Sequence, residues 1–337
     1  DRFSVAGLAG RDPAKTAAIA RRFGITAHAS VEELVRIGKP QFVVTSVPWA
    51  ANPSLLRRLA EMGMPALSET PPAGSIPEME ELCELARQGA KIQVAEQYFL
   101  QPHHAARLAF IRGGKLGPVH QAQVSAAHGY HGVSLIRRFL GVGFENATIQ
   151  AMICRSKMVE GPGRSGLPAE ERMAEAEQVI ATLDFGGKVG VYDFTGRQYF
   201  ALIRDPRVLI RGERGEILNQ SAVYLRDFRT PIRADFVRHS AGQQGDLAGH
   251  YLAGIQAGEE WVYRNPFAPA RLFDDEIAIA TCLEKMGQFA AGGEAFYPLA
   301  EACQDRYLDL MIAEAAAQGR RITTTTQAWA ASNESHS

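Results

Sequence analysis

The chain of 337 residues is 46% hydrophobic, more than one ordinary core needs and enough to bury two. Lysine plus arginine number 36 against 37 for aspartate plus glutamate, so no large field favours nucleic acid or an anionic membrane, and the expected partner is a small molecule. Cys83, Cys154, Cys282 and Cys303 show neither CxxC spacing nor disulfide density, no run approaches the roughly 18 apolar residues of a membrane span, and residues 1–20 carry Arg2, Arg11, Asp12 and Lys15 rather than a signal-peptide core. The composition thus reads as a soluble, cytoplasmic protein with scattered core thiols.

The first hundred residues alternate short apolar runs with capped helices, the pattern of a parallel sheet with crossover helices. Phe3 to Ala9 reads as a strand. Asp12 caps the following helix with Pro13 at its first position, and Gly24 supplies a left-handed stop. Ser30 and Glu33 form a capping box for a short helix, and Gln41 to Val47 reads as a buried strand. Asn52 and Pro53 open a helix ending at Gly63, and Ala66 to Ser68 is a short strand. Ser75 with Glu78 caps a helix closing at Gly89, before a strand from Lys91 to Ala95.

From about residue 118 the period changes to two, with tight turns and few helices. Val119 to Ala126 is one expected strand. Gln178 to Phe185 and Lys188 to Phe194 flank the hairpin signal Gly186-Gly187, and Val208 to Gly212 with Glu216 to Leu218 forms another hairpin around Arg214-Gly215. Residues 156–174, rich in Gly, Pro, Arg and Glu, read as a mobile loop. Asp274 to Met286 and Ala300 to Ala317 are helical again. The expected organisation is an α/β Rossmann-like nucleotide-binding domain over 1–117, an α+β domain with an open, mainly antiparallel sheet over 118–322, and an unstructured polar tail over 323–337.

Phe3-Ser-Val-Ala-Gly-Leu-Ala-Gly-Arg-Asp-Pro-Ala-Lys15 resembles the second strand and helix of the glucose-fructose oxidoreductase and myo-inositol dehydrogenase (Gfo/Idh/MocA) family. Phe23-Gly-Ile25, Ser30-Val-Glu-Glu-Leu34, Val44-Thr-Ser-Val-Pro48 and Glu69-Thr-Pro-Pro-Ala73 follow in the family's order, and His131 to Gly141 resembles its "HxxD" helix ending in "LLG". No GxGxxG precedes Phe3. The resemblance therefore implies that the family's first strand and Gly-rich turn, roughly 20 to 30 residues, precede the chain as given, leaving its cofactor site incomplete.

Family members usually oxidise a sugar or cyclitol hydroxyl, passing hydride to nicotinamide while a His, held by an Asp and helped by a Lys, takes the proton. His131 occupies the His position. The Lys is replaced by Thr70, the Asp four residues before the His by Ala127, and the Asp three residues after it by Ser134. His128 and Tyr98 are candidates to take over proton handling, with His103 and His104 nearby, so the expected catalytic set is His131, Tyr98 and His128. His128 and His131 have no carboxylate or Cys at ligand spacing, and no metal is expected. At the end of the first strand Gly10 takes the position where NAD users place an acidic residue, and Arg11 follows, which favours NADP over NAD. Pro48, Asn52 and Glu69 resemble positions beside the nicotinamide, and with Thr70 they complete a cofactor-binding set of Gly10, Arg11, Pro48, Asn52, Glu69 and Thr70.

The expected function is an NAD(P)-dependent oxidoreductase of a sugar-like or cyclitol substrate. The alternatives are a catalytically silent nucleotide- or sugar-binding member and an NAD-using glycosidase-type enzyme. Apolar residues on both faces of Gln178 to Phe194 point to a homo-oligomer, dimer or tetramer, paired through the open sheet.

Overall fold

In the computed structural model, which describes residues 2–163, 165–242 and 250–333, local capping chemistry sets the N-terminal helices. The Asp12 carboxylate accepts the Lys15 N–H at 3.0 Å, Pro13 opens the helix Pro13–Phe23, and Gly24 closes it at φ 64°. Glu78 accepts both the backbone N–H and the hydroxyl of Ser75, at 3.0 and 2.8 Å, ahead of helix Ile76–Arg87. Leu8–Ala9 pairs in parallel with Ala27–His28, and Val43–Thr45, Ala66–Ser68 and Ile92–Val94 form a parallel three-stranded sheet in that order. The ladders are shorter than the apolar runs Phe3 to Ala9 and Gln41 to Val47 suggest, because only the last two residues of the first run and the central three of the second pair with a neighbouring strand.

The remainder is dominated by a mixed, mostly antiparallel sheet, eleven-stranded among the described residues. Its centre is Val119–Ser125, which pairs in parallel with Val189–Thr195 and antiparallel with Arg207–Gly212. Met173–Asp184 and Val189–Thr195 pair as the Gly186-Gly187 hairpin requires, with Asp184 opposite Val189. Helix Gly129–Leu140 packs on Val119–Ser125 and Val189–Thr195.

Two expectations are corrected. Residues 156–174 are not one loop: Thr148–Val159 and Met173–Asp184 are long paired strands, and only 160–172 connects them. Across the ladder Arg155 lies opposite Glu177 and Lys157 opposite Glu175, so the charges at this end of the two strands form cross-strand pairs on a solvated face. The stretch 323–337 is also tied down as far as it is described. Ile322–Thr323 adds an edge strand to Thr148–Val159, Thr324 exchanges hydrogen bonds with Ala147, and Trp329 is 0% exposed, donating its indole N–H to Gln304 at 3.0 Å. Residues 334–337 lie outside the described residues. Cys83, Cys282 and Cys303 are buried, whereas Cys154 is exposed on its strand.

Among the described residues, contacts divide the chain into two compact units, Asp1–Ala95 with Cys282–Leu299 and Glu96–Thr281 with Ala300–Ser337. The division falls before residue 117 because helix Pro102–Arg112 packs against Tyr251–Ala257 and Glu260–Arg264. No described helix is long and apolar enough to cross a membrane.

Candidate active site

The cluster is built where the chain leaves strand Ile92–Val94. Glu96, 1% exposed, accepts the Tyr98 backbone N–H at 3.1 Å on Oε1, which fixes the carboxylate at the start of the turn Tyr98–Leu100. Its other oxygen, Oε2, lies 2.6 Å from Nδ1 of His131, a residue 4% exposed in the first turn of helix Gly129–Leu140. A buried carboxylate on Nδ1 holds that nitrogen protonated, so Nε2 carries the lone pair of the neutral ring. Glu96 thereby supplies the carboxylate that Ala127, itself fully buried, cannot.

The helix reaches this position through glycine. A Cβ on Gly132 would lie 2.6 Å from Cε2 of Tyr192 and 2.9 Å from the Ala127 carbonyl oxygen, so any larger residue would push His131 away from the sheet. Gly129 is similarly enclosed: its φ is 44° and a Cβ would meet Asp309 Oδ1 at 2.7 Å, while its N–H donates to the Tyr192 hydroxyl at 2.7 Å.

Aromatic groups cover the dyad. The Tyr98 ring lies over His131 with centroids 4.4 Å apart, and His128, the residue preceding the helix, meets the same imidazole edge to face at 4.9 Å. Tyr98 donates its hydroxyl to Tyr199 at 3.2 Å, and the Tyr199 hydroxyl contacts both the backbone N–H and Nδ1 of His128. Burial, and then the hydrogen bond to Tyr199, push the Tyr98 phenol well above its ordinary value. Burial, and then the proximity of His131, push His128 down to about 4. Near neutral pH His128 is therefore an uncharged donor and acceptor.

Tyr98, His128 and His131 are thus brought together, and the sequence reading missed Glu96 and Tyr199. Glu96 carried a usable signal, since it directly follows the strand end at Ala95; Tyr199 carried none. His103 and His104 belong elsewhere: they stack on each other at 4.1 Å, His103 faces Asp274 at 3.3 Å, and His104 faces Arg107 at 3.0 Å. Among the described residues no group of three or more His, Cys, Asp or Glu could hold a metal ion.

The six residues expected at the cofactor all follow carboxyl ends of parallel strands in the N-terminal unit, the edge where open α/β sheets bind ligands. Gly10 and Arg11 are exposed after Leu8–Ala9, Pro48 is exposed after Val43–Thr45, and Glu69 is exposed after Ala66–Ser68. Thr70 is buried and donates to Glu69 Oε1 at 3.3 Å. Asn52 is spent internally. It accepts from the Thr45 hydroxyl at 2.8 Å and donates to Ser68 Oγ and the Pro72 carbonyl at 2.9 and 2.8 Å, so its role is to tie the strand ends together.

The architecture is a Rossmann-like α/β unit followed by a largely antiparallel open-sheet unit. Residues 1–97 of the chain match the model of the Gfo/Idh/MocA oxidoreductase family, NAD-binding Rossmann fold. Its fold is similar over nearly all its length to solved structures at low identity. An Agrobacterium radiobacter oxidoreductase in complex with NAD+, L-tartaric acid and magnesium superposes with a TM-score of 0.67 at 17% identity, covering 95% of this chain and 90% of its own. A putative myo-inositol dehydrogenase from Sinorhizobium meliloti gives 0.64 at 16%, covering 96% and 92%, and a levoglucosan dehydrogenase bound to NADH and levoglucosan gives 0.67 at 18%, covering 96% and 90%. No curated protein matches the chain significantly. At such identities the likeness carries the fold.

Proposed function

We propose that the protein is an NAD(P)-dependent oxidoreductase that interconverts a hydroxyl and a ketone on a sugar-like or cyclitol substrate. The observation that carries this reading is the buried Glu96–His131 pair, with Nε2 of His131 left to take the hydroxyl proton and Glu96 placed to stabilise the imidazolium that forms. Two of the proteins of similar fold are complexes with NAD+ or NADH, and one of these also holds levoglucosan, in keeping with a polyhydroxylated substrate.

The strand ends of the N-terminal unit fit a dinucleotide, whose nicotinamide would supply hydride transfer when bound. Gly10 leaves a close approach that a side chain would fill, since a Cβ there would lie 2.6 Å from Thr16 Oγ1. An acidic side chain for the ribose hydroxyls is therefore disfavoured at this position, and the exposed Arg11 beside it can pair with a 2′-phosphate. Asp12 offsets part of that charge, but its carboxylate is engaged with the Lys15 N–H. The preferred nucleotide is NADP, with NAD accepted.

Assembly into a homo-oligomer through the open sheet is part of the same reading. Met152 and Ile180, directly opposed on neighbouring strands, are 58% and 36% exposed, an apolar stripe that a second copy would cover. The silent reading draws its support from Thr70, which puts no cation where the family has one. The two are separated by following reduction of NADP+ and NAD+ in the presence of a polyol panel: slow turnover abolished by His131→Ala supports the enzyme, and nucleotide binding without any turnover supports the silent member.

A further inference from the structure

Tyr199 belongs to no motif, yet its hydroxyl is the hub of the cluster. Its oxygen receives the Tyr98 hydroxyl at 3.2 Å and the His128 backbone N–H at 3.0 Å, and it also lies against His128 Nδ1. A phenol offers two lone pairs and one hydrogen. With both lone pairs occupied, the hydrogen must go to Nδ1 of His128, which is then the unprotonated nitrogen. The ring proton is forced onto Nε2, on a side chain that is exposed to solvent. Two hydrogen bonds thus run in one direction, from Tyr98 to Tyr199 and from Tyr199 to Nδ1 of His128, while the His128 backbone N–H returns a third to the Tyr199 oxygen.

We propose that Tyr199 is a positioning residue that locks His128 in its neutral Nε2–H tautomer, making that N–H a fixed donor to the substrate oxygen whose proton His131 takes. This rests on the oxidoreductase reading above. A neutral donor suits the site better than a cation, because His131 becomes positively charged during oxidation and its ring lies only 4.9 Å from His128. A second cation there would raise the energy of the imidazolium, whereas a neutral imidazole polarises the oxygen without that repulsion. The groups facing His128 are His131, Tyr130 and Tyr199 in ring contact, with the Glu96 carboxylate acting at longer range. Burial and His131 hold it uncharged, in agreement with the hydrogen-bond directions.

Nitrogen-15 NMR of the histidine rings in the full chain near neutral pH tests the lock without substrate. The expected result is His128 with Nδ1 unprotonated and Nε2 protonated in the wild type, and a mixture of tautomers in Tyr199→Phe. The opposite tautomer, or a mixture in the wild type, overturns the proposal. In turnover with NADP+ or NAD+ on a polyol panel headed by levoglucosan and myo-inositol, Tyr199→Phe lowers kcat about tenfold or more with KM within about twofold. His128→Ala costs about 100-fold, and His128→Gln, which keeps a neutral N–H donor, retains more activity than His128→Ala. A Tyr199→Phe variant with wild-type kcat overturns the proposal. A locked tautomer in a wild-type protein that reduces neither nucleotide with any polyol upholds the lock and sinks the oxidoreductase reading instead.

Discussion

Glu96 Oε2 and His131 Nδ1, 35 residues apart in sequence, meet at 2.6 Å in a buried contact, and the proposed chemistry rests on this pair. Replacing the carboxylate with the isosteric amide keeps the volume but removes the charge that stabilises an imidazolium, and it allows the wrong tautomer. Glu96→Gln should therefore lower kcat by up to about 10⁴-fold, as the acid-to-amide change of an orienting carboxylate does in acid–base triads, with KM little changed. Glu96→Ala should in addition destabilise the fold by about 3 kcal/mol, because removing one partner of a buried pair leaves the other uncompensated. Steady-state kinetics and denaturant unfolding check the two effects separately.

Gly132→Ala tests whether close helix–sheet packing places His131. The added methyl meets Tyr192 and the Ala127 carbonyl within 3 Å, so a loss of about 1 to 3 kcal/mol and a fall in kcat are expected together. Ala127→Asp, which would restore a carboxylate in the family position, should not help. That side chain is fully buried in a site that already holds Glu96, and a second buried carboxylate should lower the unfolding midpoint. Thermal unfolding of both variants is the measurement.

The capped helices, the Gly186-Gly187 hairpin and the strand-end location of the residues expected at a cofactor were legible in the sequence because each depends on neighbours within a few positions. Glu96 and Tyr199 were not, since their roles arise from contacts 35 and 101 residues away. Strand Thr148–Val159 was hidden for a related reason: its last residues, from Ser156 on, read as loop until Met173–Asp184 sets Glu175 across from Lys157. Trp329 stands out in the sequence as the one large apolar residue of a polar stretch, but its burial depends on a partner 25 residues away, Gln304.

Trp329→Ala should cost about 3 to 5 kcal/mol, since it empties a fully buried site and strands the Gln304 carbonyl that accepts the indole N–H. Chemical denaturation monitored away from the tail, by far-ultraviolet circular dichroism, checks this. An unchanged midpoint would mean that the segment after Thr323 is not docked in solution.

His128 makes a pH prediction with a definite sign. Its folded value of about 4 lies below the ordinary value of 6.5, so the unfolded chain binds the proton more readily than the folded one. Its neutral state costs nothing above pH 6.5. As pH falls from 6.5 towards 4 the unfolded state is increasingly favoured, and below 4 the penalty is constant. Unfolding midpoints of His128→Gln should therefore decline less steeply than the wild type across that window. His103 and His104, whose values are also lowered chiefly by burial, leave a residual slope in both proteins.

Arg11→Ala should weaken NADPH binding about tenfold, the worth of one charge-assisted contact to phosphate, and leave NADH binding within about twofold. Fluorescence titration with each reduced nucleotide measures both. Equal losses for the two would remove Arg11 from 2′-phosphate recognition.

The most direct test is hydride transfer itself, followed by the absorbance of reduced nicotinamide when wild type and His131→Ala are given NADP+ or NAD+ with a panel of sugars and cyclitols. The wild type should reduce nucleotide with at least one polyol, and His131→Ala should lose about 10² to 10⁴ of that rate, the usual contribution of a positioned base. Turnover that survives His131→Ala undiminished would contradict the assignment of the Glu96–His131 pair as the proton acceptor.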